Sequence, residues 1–131
     1  MPRGYLILML HAHLPYVRHP EYESFLEENW LFEAISETYL PLLRVMDRLE
    51  ADGVPFKLTF SISPTLSAML QDELLQQRYV AHLERMLELA EKELHRTKND
   101  SRLHHVAQLY NELYTQNHLD FTEKYDRNIL T

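Results

Sequence analysis

Six consecutive apolar residues, Tyr5 to Leu10, run straight into His11-Ala12-His13-Leu14-Pro15-Tyr16, and no other stretch restricts the fold as much. A run of that length closed by polar residues reads as a strand buried on both faces, the habit of parallel sheets. Side chains alternate along a strand, so His11 and His13 share one side and Ala12 takes the other. Two imidazoles then leave the sheet together at the carboxyl end of a parallel strand, where α/β enzymes keep their chemistry.

From Leu14 to Asn29 the chain shows no sustained period, carries Pro15, Pro20, Tyr16, Tyr22 and Phe25, and is longer than an ordinary βα connection. Loops of that kind form binding sites. From Trp30 the pattern becomes helical, with Leu31, Ile35, Leu42, Met46 and Leu49 on one stripe. Pro41 lacks the N–H that an α-helix needs, so a kink or break is expected near Thr38 to Leu40. Gly53 and Pro55 supply the stop. Phe56 to Ile62 then alternates apolar with polar residues, the signature of a second strand. Strand, helix and strand in that order make a parallel crossover unit.

Ser63-Pro64 reads as the N-cap and first residue of a helix. Beyond it the chain is helical almost to its end. Leu75, Tyr79, Leu83, Met86, Ala90 and Leu94 form one stripe, Leu103, Val106, Tyr110, Leu113 and Asn117 another, and Lys98 to Ser101 separates them. Two such arms form an antiparallel hairpin. The expected organisation is one unit of 131 residues, with strand-helix-strand over 1–62 and helical arms over 63–131. Two parallel strands make a poor end state, because each has an unpaired edge and uncovered faces. The pattern is expected either to open a larger barrel or to be completed by a partner copy in a homo-oligomer.

Charge and composition narrow the function classes. A formal charge of −7 opposes nucleic-acid binding, which draws on a Lys/Arg surface. With no cysteine, disulfides, thiolate nucleophiles and Cys-type zinc sites are excluded. The first apolar run is too short for a secretory core or a membrane span, and a cytoplasmic location is expected. Of eight histidines, His82, His95, His104, His105 and His118 fall in helical stretches among charged residues and read as solvated. Glu21, Glu23, Glu27 and Glu28 crowd the loop, where carboxylates mostly solubilise.

Three ordered blocks carry a resemblance. They are Gly4-Tyr5-Leu6 leading to His11-Ala12-His13-Leu14-Pro15-Tyr16-Val17-Arg18; Glu28-Asn29-Trp30-Leu31-Phe32-Glu33-Ala34-Ile35 with Glu37-Thr38-Tyr39-Leu40-Pro41-Leu42-Leu43; and Phe60-Ser61-Ile62-Ser63-Pro64-Thr65-Leu66. On these the chain resembles the N-terminal part of glycoside hydrolase family 57, in particular its 1,4-α-glucan branching enzymes. The resemblance implies an α/β fold, the N-terminal portion of a (β/α)7 barrel with a long, mostly helical C-terminal half. It implies retaining transfer on an α-glucan (glycogen, amylose or a maltooligosaccharide), from an α-1,4 to an α-1,6 linkage, with no cofactor and no metal. The family's nucleophile and acid/base come from later strands, so no catalytic residue is expected in this chain, which should be inert by itself. Carried over by position, His11, His13 and Trp30 are the substrate-binding residues. Glu33 is matched without a role.

Other readings of the same residues stay open. The imidazoles could be satisfied by backbone carbonyls, and Trp30 could anchor the core. A His-x-His pair also suits a metallohydrolase, although zinc needs at least one further ligand at ~2.0–2.2 Å that no later strand here supplies. Within the family, α-amylases and 4-α-glucanotransferases often have His-Gln-Pro where this chain has His-Leu-Pro. A non-catalytic, self-associating module is the remaining class.

Overall fold

The computed structural model describes residues 4–130. Strand β1 (Met9–Ala12) is followed by α1 (Glu28–Glu33), a π-helical stretch (Ala34–Tyr39) and α2 (Leu40–Ala51). Strand β2 (Thr59–Ile62) leads into α3 (Pro64–Leu70), α4 (Glu73–Thr97), α5 (Ser101–Leu119) and a second π-helical stretch (Asp120–Lys124). The strands pair in parallel, with Met9 opposite Thr59 and His11 opposite Ser61. An α/β chain with a small parallel sheet and many helices results.

Both strands are shorter and barer than their patterns suggest. Tyr5, Leu6 and Ile7, expected in a strand buried on both faces, precede β1 and are each at least 79% exposed. Phe56, Lys57 and Leu58 likewise precede β2, whose four residues are all exposed. A parallel strand persists only where a neighbour offers hydrogen bonds, and among the described residues each strand has one neighbour of four residues.

The expected break does not form: the helix runs on from Glu28 to Ala51, with a π-helical stretch just before Pro41. The helix widens ahead of it, and the Leu40 N–H donates to Ile35 O, five residues back. In that register the next donor, for Ser36 O, would be residue 41, which as proline has no N–H. Asn117 Nδ2 on α5 supplies the missing bond at 2.9 Å. The Asn117 amide oxygen accepts from Arg44 Nη2 at 2.9 Å, and Arg44 Nη1 donates to Asp120 at 2.6 Å. The wider turn also shifts the helical phase. Leu31, Ile35 and Leu40 are buried, whereas Leu42, Met46 and Leu49 of the expected stripe are half-buried.

Local signals set the helix ends. Ser63 Oγ accepts from the Leu66 N–H at 3.3 Å, and Asp100 Oδ1 from the Arg102 and Leu103 N–H groups at 3.1 Å. Gly53, at φ +67°, closes α2: its N–H bonds Glu50 O at 3.0 Å while the Val54 N–H bonds Leu49 O at 2.9 Å. The core joins Val17, Leu31, Phe32, Ile35 and Leu40 to Leu66, Met69, Leu75, Tyr79, Leu83 and Phe121. Helix α5 turns back along α4, and its expected stripe holds at Asn117, which is fully buried, and in part at Leu113, but is out of phase in the first half of the helix. The small Ala107 is buried near Ala90, and Leu103, Val106 and Tyr110 are each at least 40% exposed beside that contact.

Candidate functional site

The two strand exits are tied together by the backbone. The Ser63 N–H donates to Ala12 O at 3.0 Å, and the Thr65 hydroxyl donates to Leu14 O at 3.3 Å. Ala12 and Leu14 pack against the core, while His11 and His13 between and before them are exposed. Trp30, in the first turn of α1, is 51% exposed beside the buried Leu31 and Phe32. Packing of those two neighbours orients the helix and leaves the indole outside the core. Among the described residues, no hydrogen bond, ion pair or ring contact engages the side chain of His11, His13 or Trp30, and none joins the indole to either imidazole. All three side chains are available to a ligand.

An apolar cavity of about 360 Å³ lies beneath the sheet, between Phe60 and Ile62 on one side and Leu42, Met46 and Leu70 on the other. His11 reaches its edge. A sugar placed there would leave most hydroxyls unpaired, so this apolar space does not suit a sugar.

The loop between β1 and α1 is well anchored. The Val17 N–H points at Met69 Sδ at 3.3 Å, and Arg18 Nε donates to Asp72 at 2.6 Å. The His19 and Phe25 rings lie 3.8 Å apart, with Tyr22 stacked on Phe25 at 5.1 Å. The exposed Glu21 carboxyl is held below its usual range, first by its own backbone amide and then by His19. Glu28 corrects the expectation that the loop carboxylates merely solubilise: it is 1% exposed and paired with Arg78. Its position was legible, since Glu28 stands three and four residues ahead of Leu31 and Phe32 on the face that becomes core.

His82 corrects a second expectation. It is half-buried against Phe32, with ring centroids 5.1 Å apart, and that burial, helped by Arg85, draws its pKa down to about 4. Among the described residues no group of three or more His, Cys, Asp or Glu could hold a metal ion, and no helix is long and apolar enough to cross a membrane.

Residues 7–131 match the description of glycosyl hydrolase family 57. The chain belongs to that family. A curated relative, the 1,4-alpha-glucan branching enzyme TK1436 of Thermococcus kodakarensis, is 42% identical over 100 residues, which are 76% of this chain and 15% of that protein. Among solved structures, the alpha-amylase AmyC from Thermotoga maritima matches with a TM-score of 0.90 and 49% identity, covering 98% of this chain and 24% of that one. The family 57 branching enzyme TK1436, crystallised with glucose and additives, matches at TM-score 0.84 and 34% identity over 97% of this chain and 22% of its own. This family 57 chain therefore spans less than a quarter of the length of each of these relatives.

Proposed function

We propose that residues 1–131 form the N-terminal segment of a family 57 catalytic domain, a (β/α)7 barrel, whose activity is 1,4-α-glucan branching. The observation that carries this is the trio of unpartnered side chains, His11, His13 and Trp30, at the strand exits and the adjoining helix. The kinship with a branching enzyme over most of the chain gives the trio its substrate class. An imidazole both donates to and accepts from sugar hydroxyls, and an indole face packs on the apolar C–H face of a pyranose. Glycogen, amylose and maltooligosaccharides all present both.

Branching proceeds by double displacement. A carboxylate attacks C1 of an α-1,4-linked glucose as a carboxylic acid protonates the departing O4, leaving a glycosyl ester on the enzyme. The 6-hydroxyl of another chain then attacks C1, the ester bond breaks and the acid/base group takes up the hydroxyl proton. The two carboxyl groups stand about 5 Å apart in such sites. In this reading they belong to later strands of the barrel, and the present chain binds without turning over. No cofactor enters the scheme, and a cytoplasmic setting suits a glucan-storage reaction.

A second reading, α-amylase, is favoured by the 49% identity to AmyC; there water takes the place of the 6-hydroxyl. An enzyme carrying this segment, incubated with amylose and followed by proton NMR and a reducing-end assay, separates the two. Branching gives α-1,6 anomeric signals with reducing ends nearly constant, whereas rising reducing ends without those signals mean hydrolysis. Absence of both contradicts branching and hydrolysis alike.

A further inference from the structure

One guanidinium on α4 reaches three points of the β1–α1 connection. Arg78 Nη1 donates to His19 O at 3.2 Å and to the Glu28 carboxylate, while Nη2 donates to Tyr22 O. The two charged side chains are 14% and 2% exposed, so the pair is sheltered and neither group is free to wander. The turn it grips is closed by the Tyr22 N–H on His19 O at 3.3 Å and covered by the His19, Phe25 and Tyr22 rings.

A second, independent observation concerns the start of α1. Its N-cap position, Glu27, makes no side-chain capping bond, so the usual device for fixing a first turn is missing. Glu28 fixes it instead, by reaching Arg78 across the packed face. Trp30 stands two residues later in that same turn. The other ties, Arg18 to Asp72 and Val17 to Met69, hold the beginning of the loop. Among the described residues, Arg78 is the side chain whose hydrogen bonds hold the second half of the loop and the helix start together.

We propose that Arg78 is a positioning residue of the glucan site: it sets the second half of the loop and the first turn of α1, and through them places Trp30 relative to His11 and His13. This rests on the glucan reading above. Arginine is suited to the role because two nitrogens on a rigid plane address two carbonyls and a carboxylate at once. A lysine keeps the charge beside Glu28 but has a single nitrogen, so it cannot reproduce the span. Arg78→Lys therefore separates support of the buried carboxylate from placement of the loop, while Arg78→Gln removes both.

The test compares the parent chain with Arg78→Lys and Arg78→Gln by circular dichroism, amide hydrogen exchange over residues 19–30, acrylamide quenching of Trp30 and titration with maltohexaose. In Arg78→Lys the helical signal is retained, exchange over 19–30 speeds up about tenfold, quenching changes and the maltohexaose dissociation constant rises about tenfold. Arg78→Gln shows the same changes with lower thermal stability. A parent that binds maltohexaose no better than Arg78→Lys overturns the positioning role, as does unchanged exchange over 19–30. A parent that binds no maltohexaose overturns the glucan reading itself, a distinct result.

Discussion

His11, His13 and Trp30 have no side-chain partner among the described residues, so substitutions there probe binding apart from folding. His11→Ala and His13→Ala are each expected to leave unfolding free energy within about 0.5 kcal/mol of the parent. In an enzyme carrying this segment, each lowers kcat/KM on amylose about tenfold or more through lost hydrogen bonds to the sugar. Denaturant titration and initial rates check the pair of outcomes. His82 is the opposite kind of residue. Its pKa falls from 6.5 to about 4 on folding, chiefly through burial, so below pH 6.5 the unfolded chain takes up the proton first. Stability is full above pH 6.5, declines as pH drops towards about 4 and loses nothing further from this group below that. Because the ring is only half-buried, the loss is about 1–2 kcal/mol. His82→Leu should remove this contribution and flatten the slope between pH 4 and 7, as read by urea unfolding. His104 and His118, also expected to be solvated, are half-buried, while the exposed His95 and His105 and the aromatic loop were legible from local pattern. His82 was not, because its charged neighbours on α4 hid a ring that packs on Phe32, far away in sequence.

At the scale of elements, the wide helical turn before Pro41 depends on α5. Asn117→Ala removes the donor to Ser36 O and an acceptor for Arg44, and should cost about 2–3 kcal/mol in thermal or urea unfolding. Gly53→Ala should cost about 1 kcal/mol by the same measurements, since its φ of +67° disfavours a Cβ that would otherwise meet nothing within 4 Å. Caps and the strand-helix-strand order could be read from sequence, because each is written in a few adjacent residues; the proline marked where the helix is irregular, but not that it widens without breaking. The phase of the first half of α5 could not be read. Its contact with α4 runs through Ala90 and Ala107, and a pattern weighted towards large apolar residues points away from such a small-residue contact. The strand lengths failed for a related reason: Tyr5 to Leu10 has the composition of a buried strand, but burial needs neighbours that the described residues do not provide.

Taken whole, the described residues form a helical core beside a two-stranded sheet that has no further strand at either edge. Tyr5, Leu6 and Ile7 stand at least 79% exposed next to a strand with an open edge, the arrangement that invites edge pairing between copies. Light scattering should show dimers or larger species at ~100 µM, reduced towards monomer by Ile7→Lys. A barrel that surrounds the sheet would remove that tendency, and a chain that stays monomeric at all concentrations would count against such pairing. In the proposed reading, His11 and His13 at the strand exit and Trp30 at the start of α1 bind an α-glucan. Trp30 is the only tryptophan, so its emission reports on the start of α1 alone. Titration of the chain with maltohexaose should shift and saturate this emission, with weaker binding in His11→Ala; unchanged emission at millimolar sugar, with calorimetry showing no heat, would contradict the account.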